Sequence, residues 1–170
     1  IGRCYNIGKG VKQDYNKAIE YYEKAAQNGE SNSMNNLGFL YENGEGVKQD
    51  YSKAKEYYEQ SANLGDQNAI FQIGNLYNRG YGVKQNYLKA KEYYKKSRNS
   101  DGFYQIGILY EYGRGVKRNY LKAKKYYEKS SEFNNSYALN RLGNLYFYGH
   151  GVKQDYLKAK EYYEKSSEYK

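Results

Sequence analysis

The stretch that decides the fold is residues 33–58, which read SMNNLGFLYENGEGVKQDYSKAKEYY. Apolar or small residues recur at helical spacing in its first part, and alanine and tyrosines do so in its second part. A Gly-x-Gly-Val turn separates the two parts, and glycine readily adopts the left-handed conformation that ends a helix. Asp50 then stands where the second helix needs an N-cap residue. The stretch therefore predicts two helices joined as a hairpin.

The same pattern recurs along the whole 170-residue chain. One hairpin cannot bury its own apolar face, so successive hairpins must stack on one another. We predict an all-α fold in which about five antiparallel helix pairs form a single array over residues 1–170. The Gly-x-Gly-Val-Lys string begins at Gly8, Gly44, Gly80, Gly113 and Gly149. The predicted copies are approximately 1–29, 30–65, 66–98, 99–134 and 135–170, and the first of them begins partway along its first helix.

A second glycine recurs in the middle of the first helix of each later copy. Inside a helix, glycine costs about 1 kcal/mol relative to alanine. Its recurrence therefore predicts that a neighbouring helix passes too close for a methyl group. These positions are Gly38, Gly74, Gly107 and Gly143. The predicted N-cap residues of the second helices are Asp14, Asp50, Asn86, Asn119 and Asp155.

The combined pattern resembles a known family. The order Ala-x-x-x-Leu-Gly-x-Leu-Tyr, Gly-x-Gly-Val, Asp-Tyr-x-Lys-Ala-x-x-Tyr-Tyr is similar to the Sel-1-like repeat, a relative of the tetratricopeptide repeat. The resemblance covers essentially the whole chain and implies a right-handed superhelix, or solenoid, with a concave, ligand-facing surface. It also implies a scaffold or adaptor role, because members of the family serve in that way. The chain departs from the family at Tyr57 and its equivalents, where tryptophan is common, and at four serines where alanine is common: Ser130, Ser131, Ser166 and Ser167.

Few residues in the chain are of the kinds that form catalytic or metal-binding sites. One cysteine excludes a disulfide framework and a cysteine-based zinc site, and the single histidine, His150, lies in a variable turn. No serine, histidine and acid are placed to form a catalytic group. No apolar run approaches the length of a membrane span, which is about eighteen residues. We therefore predict no enzyme activity, no metal, no cofactor, no small-molecule substrate and no membrane span, while the compartment stays open.

The first helices carry the candidate binding surface. In a repeat protein the recurring residues hold the fold, whereas exposed residues that differ between copies can recognise a partner. A helical wheel directs several variable positions of each first helix away from the stack, among them those of Glu42 and Glu111. They hold asparagines and large apolar side chains, which suit an unidentified protein or peptide, although some could instead pack on a neighbouring first helix. The predicted contact residues are Asn35, Phe39, Phe71, Asn75, Tyr104, Ile108, Tyr137, Asn140 and Phe147.

The net charge of +9 suggests an alternative, in which the basic outer face binds an anionic surface or a nucleic acid. Most lysines occupy recurring positions, and pairs such as Glu20 and Lys24 mix the two signs. A nucleic-acid groove would concentrate one sign on one face, so we expect nucleic-acid binding to be the weaker interpretation. Exposed apolar ends of the array also leave end-to-end self-association open.

Overall fold

The computed structural model describes residues 1–169. Within them the chain forms ten α-helices and no strand, which confirms the all-α prediction. The helices are α1 (Gly2–Ile7), α2 (Tyr15–Gln27), α3 (Ser31–Asn43), α4 (Tyr51–Asn63), α5 (Gln67–Arg79), α6 (Tyr87–Ser97), α7 (Ser100–Tyr112), α8 (Tyr120–Ser131), α9 (Ser136–Tyr148) and α10 (Tyr156–Glu168). Odd-numbered helices are the first helices of the repeats, and even-numbered helices are the second helices.

The helices form two compact units. The first spans Ile1–Gln85 and contains α1 to α5, and the second begins at Asn86 and contains α6 to α10. Within each unit every helix packs on the next one along the chain. The cores hold alanines, leucines and tyrosines, and their largest fully buried side chains are Tyr58, Tyr94 and Tyr127. The recurring tyrosines therefore fill the core.

The predicted caps are present. Asp50 is extended and its carboxylate accepts hydrogen bonds from the backbone amides of Ser52 and Lys53, at 2.9 and 3.0 Å. The four equivalent residues each accept from the amide three residues further on. At the other end of the hairpin, α3 stops at Gly44, whose φ of 72° is left-handed.

We expect Asp50→Ala to lower the free energy of unfolding by about 1 kcal/mol, because two backbone amides of α4 lose their acceptor. Urea denaturation followed by circular dichroism measures this loss. Asp50→Asn is the control and should leave stability nearly unchanged, since Asn86 and Asn119 cap their helices in the same way. An alanine variant as stable as the parent protein would show that the cap contributes nothing.

The recurring glycines lie against tyrosine rings. A Cβ built on Gly38 would lie 2.6 Å from two ring carbons of Tyr58 in the paired helix α4. In the turns, a Cβ on Gly46 would lie 2.5 Å from the Cβ of Tyr15 on α2, the second helix of the preceding copy. Both distances are too short for a methyl group, so the predicted close approach is confirmed and extends to the turn.

The serines that depart from the family pattern have a structural role. Ser130 is fully buried and its hydroxyl donates to the Ser100 carbonyl at 2.7 Å. Ser166 donates to the Ser136 carbonyl at 2.9 Å in the same way. Each bond joins the end of a second helix to the start of its own first helix, so an alanine there would leave a partly buried carbonyl without this donor.

Candidate partner-binding surface

The second unit has a cleft of about 820 Å³ beside α9. Tyr104 of α7 and Ser166 of α10 lie on its walls. Aromatic, amide and cationic side chains therefore face one open space. The full lining is Tyr104, Ser136, Tyr137, Asn140, Arg141, Asn144, Ser166 and Tyr169.

Three tyrosines line the cleft, and two of them, Tyr104 and Tyr137, lie ring against ring. The ring centroid of Tyr104 lies 6.1 Å from that of Tyr137 and 5.9 Å from that of the buried Tyr127. Tyr104 is half-buried because it also packs against the core, whereas Tyr137 is 71% exposed. Tyr137 thus presents a ring to solvent while Tyr104 supports it from below.

A polar network holds Arg141 beside these rings. Its Nη1 lies 3.2 Å from the Tyr112 hydroxyl and 3.6 Å from a carboxylate oxygen of Glu111. The hydroxyl of the buried Tyr127 donates to Glu111. The Tyr112 ring centroid also lies 5.9 Å from the guanidinium carbon. Arg141 is therefore oriented before any partner binds, which limits the entropy lost on binding.

The first unit has its own cleft of about 790 Å³, which includes Asn35 and Phe39 of α3. Phe39 is 43% exposed. The Asn35 side-chain oxygen is buried and accepts no hydrogen bond within the described part of the chain. A buried amide oxygen without a donor is costly to the folded state.

The nine predicted contact residues divide into two groups. Phe39, Tyr137, Asn140 and Phe147 are exposed, whereas Asn35, Phe71, Asn75, Tyr104 and Ile108 are half-buried. The structure brings Tyr104, Tyr137 and Asn140 together in one cleft, and Asn35 and Phe39 in the other. Phe71, Asn75, Ile108 and Phe147 line neither cleft, and Phe147 packs edge-on against Tyr148 and Tyr156.

The helical wheel was wrong about two glutamates and overlooked one arginine. It directed Glu42 and Glu111 outward, but their side chains are only 12% and 13% exposed. Each accepts a hydrogen bond from a buried tyrosine, Tyr58 or Tyr127. Arg141 was missed because the wheel did not count its position as outward. Its signal was a charge where the other complete copies have amides: Asn36, Gln72 and Gln105.

The arrangement suits non-covalent recognition. No group of three histidine, cysteine or acidic side chains among residues 1–169 is placed to hold a metal ion. His150 is exposed and stacks on Tyr120 with a centroid distance of 4.8 Å, and Cys4 is also exposed. None of the described helices has the length and apolar character needed to cross a membrane. What the clefts offer a ligand is aromatic surface, amide hydrogen bonds and one oriented cation.

The chain repeats one helix pair, with turns of equal length and with fully buried tyrosines in its cores. These features define the class of helical repeat proteins. Within that class the Sel1 repeat family model matches residues 1–30, 31–66, 67–101, 104–132 and 136–168, and the chain belongs to this family. Sel1 repeat proteins are generally protein-interaction scaffolds and are typically not enzymes. No curated protein matches the sequence.

Solved structures agree with this assignment. A Sel1 repeat protein from Oxalobacter formigenes is 32% identical, with a TM-score of 0.92, and the match covers 98% of this chain and 69% of that one. The c5321 protective antigen of uropathogenic Escherichia coli is 34% identical, with a TM-score of 0.88, over 98% of this chain and 36% of that one. This chain therefore spans about a third of the antigen's length. Helicobacter pylori cysteine rich protein B is 30% identical, with a TM-score of 0.56, over 77% and 96% of the two chains.

Proposed function

We propose that the chain is a non-enzymatic scaffold that holds a segment of a partner protein against its first helices. The observation that carries the proposal is the cleft of the second unit, where Tyr104, Tyr137 and Asn140 meet beside Arg141. Tyrosine and arginine are the side chains that most often dominate binding energy at protein interfaces. The cleft of the first unit, with Asn35 and Phe39, is a second contact of the same kind.

Preorganisation is the mechanism. Tyr104 is supported by Tyr127, and Arg141 is held by Tyr112 and Glu111, so neither side chain has to be ordered when a partner arrives. The entropy saved in this way contributes to affinity. An extended peptide fits this cleft better than a small molecule does, because the cleft is open and mixes polar and aromatic groups along one side of α9.

We expect Tyr137→Ala to weaken the binding of peptides selected for this protein at least tenfold, a loss of about 1.4 kcal/mol or more. The peptides come from a random displayed library selected on the intact chain, and isothermal titration calorimetry measures their affinity. Tyr137 is the appropriate target because it is 71% exposed, so its removal should leave helicity unchanged. Tyr104→Ala is less informative, since that ring also packs on the core.

Leu157→Ala is the matched control. Leu157 is 78% exposed on α10 and does not line the cleft, so its removal should leave affinity within about twofold. Affinity that depends on aromatic contacts should also change little with salt, whereas binding by the alternative, charge-driven mode should weaken steeply. Selection that yields no peptide, or peptides equally sensitive to both substitutions, would contradict the proposed site.

A further inference from the structure

The positive charge is confined to one half of the chain. Residues 1–85 carry ten Lys and Arg residues and ten Asp and Glu residues, so they are neutral. Residues 86–131 alone carry twelve basic and four acidic residues, a net charge of +8. These residues comprise α6, α7 and α8 and the turns that join them. The overall charge of +9 therefore describes a local basic surface rather than an even background.

Three basic residues of this region break the repeat pattern. Lys95 stands where the other four copies have glutamate (Glu23, Glu59, Glu128 and Glu164). Lys125 likewise stands where they have Glu20, Glu56, Glu92 and Glu161. Arg118 replaces a glutamine that is present in the other four copies as Gln13, Gln49, Gln85 and Gln154. All three basic side chains are exposed.

The fold does not require these substitutions. Each of the four glutamines donates to a backbone carbonyl of its own first helix, as Gln49 does to Glu42 at 2.8 Å. Arg118 lies with its guanidinium carbon 5.5 Å from the Tyr120 ring centroid. At position 118, the glutamine that makes this recurring hydrogen bond is therefore replaced by a cationic arginine. Such an exchange at an exposed position is the signature expected of recognition.

Three further lysines of this region surround a stacked pair of tyrosines. Tyr110 and Tyr126 stack with a centroid distance of 5.8 Å. The ammonium groups of Lys91 on α6 and Lys122 on α8 lie 5.6 and 5.4 Å from the Tyr110 centroid, so α6 and α8 adjoin here. Lys129 lies 5.9 Å from the Tyr126 centroid. Lys95 is one helical turn beyond Lys91, and Lys125 lies between Lys122 and Lys129 on α8.

The first unit provides the acidic counterpart. There, a cleft of about 480 Å³ between α2 and α4 is lined by Glu23, Glu56, Tyr57 and Lys53, among others. Glu23 and Glu56 are the equivalents of Lys95 and Lys125. The same place in the repeat is thus acidic in one unit and basic in the other. The acidic residues of α6 and α8 are Glu92 and Glu128, and Glu128 is paired with Lys124.

We propose that Lys95, Arg118 and Lys125, with Lys91, Lys122 and Lys129, form a docking surface for an extended acidic segment of a partner protein. We call these six residues the basic surface. It lies on the second helices and the turn before α8, so it is separate from the first-helix cleft of the proposed function. Charge complementarity of this kind speeds association and selects acidic partners.

The arrangement favours a peptide over the other polyanions. Single-stranded nucleic acid binds by stacking bases on free aromatic faces, but Tyr110 and Tyr126 stack on each other and have lysines over their rings. An anionic membrane would also attract these basic groups, and the phosphatidylserine vesicles of the test below distinguish it from a peptide. Alternate residues of an extended chain are about 7 Å apart, close to the spacing of lysines one helical turn apart.

The test uses the whole chain and a fluorescein-labelled peptide of alternating glutamate and serine, about twelve residues long. Fluorescence anisotropy measures its Kd at about 0.15 M salt. The variant combines Lys95→Glu, Arg118→Gln and Lys125→Glu, each of which restores the residue of the other copies and therefore suits the fold. We expect this variant to bind at least about tenfold more weakly, with unchanged helicity and thermal midpoint.

The matched control combines Lys12→Glu, Lys48→Glu and Lys84→Gln, exposed positions of the first unit that remove the same total charge. It should keep the peptide affinity within about twofold, because the residues of the basic surface are unchanged and salt screens the effect of net charge alone. Equal weakening by both variants, or no weakening by the first, would overturn the proposal. So would tighter binding of oligothymidylate or of phosphatidylserine vesicles than of the peptide, if that binding is lost in the first variant.

Discussion

Raising the pH from 10 to 12 should unfold this protein, because two fully buried tyrosines keep their protons only in the folded state. Burial is the main cause that raises the pKa of Tyr58 and Tyr127 well above the ordinary value, and the neighbouring Glu42 and Glu111 raise it further. Below pH 10 both states hold these protons, so stability does not depend on them. Above pH 10 the unfolded chain releases them while the folded chain retains them, so stability falls as pH rises.

The expected size is large. Each tyrosine lowers the free energy of unfolding by about 1.4 kcal/mol per pH unit in this range, so the pair costs about 5 kcal/mol by pH 12. That is comparable to the total stability of many domains, which is about 5–15 kcal/mol. Urea titrations at a series of pH values between about 9 and 12 measure the slope.

A variant with Tyr58→Phe and Tyr127→Phe serves as the comparison. It should be less stable at neutral pH, because Glu42 and Glu111 lose a donor, but its stability should fall by about 2.7 kcal/mol less per pH unit. Lysine deprotonation affects both proteins alike. If the two slopes were equal, these hydroxyls would not control the alkaline transition.

Gly46→Ala should be strongly destabilising, with a loss of about 3 kcal/mol. Gly46 has a φ of +73°, which costs an alanine about 1 kcal/mol, and the new Cβ would also lie 2.5 Å from the Cβ of Tyr15. Crowding of this kind in a packed site costs about 1–3 kcal/mol more.

Gly10→Ala measures the backbone contribution alone, so the difference between the two variants gives the contribution of crowding. Gly10 occupies the same place in the first copy, with a φ of +75°, but nothing lies within 4 Å of its built Cβ. We therefore expect this variant to lose only about 1 kcal/mol in the same urea measurement. Equal losses at the two glycines would mean that backbone conformation alone, and not the neighbouring copy, explains why glycine is needed.

Much of this structure follows from local patterns. The turn at Gly44, the cap at Asp50 and the close approach at Gly38 depend on residues near one another in sequence and on one recurring neighbour, so spacing predicts them. Glu42 and Glu111 could not be placed in this way. A helical wheel treats a helix alone, whereas these carboxylates are drawn inward by the tyrosine hydroxyl of the paired helix. The boundaries of the copies and the binding roles of the nine residues stay predictions.

The basic surface was within reach of the sequence. The total charge and the count of recurring lysines obscured this surface, because both are taken over all five copies together. Comparing the copies position by position reveals Lys95, Arg118 and Lys125, because each differs in charge from four equivalents. Arg141 could be found by the same comparison. In both cases the informative residue is the exception among near-identical copies, and its neighbours in space come only from the structure.

The contact between Gly46 and Tyr15 has a consequence for how such a chain can evolve. The glycine belongs to one copy and the tyrosine to the copy before it, and the same pairing recurs for Gly82 with Tyr51 and for Gly151 with Tyr120. A copy duplicated in frame carries both this glycine and this tyrosine. Its glycine therefore fits the copy before it, and its tyrosine fits the copy after it. Tandem gene duplication could therefore lengthen the molecule without inventing any new interface.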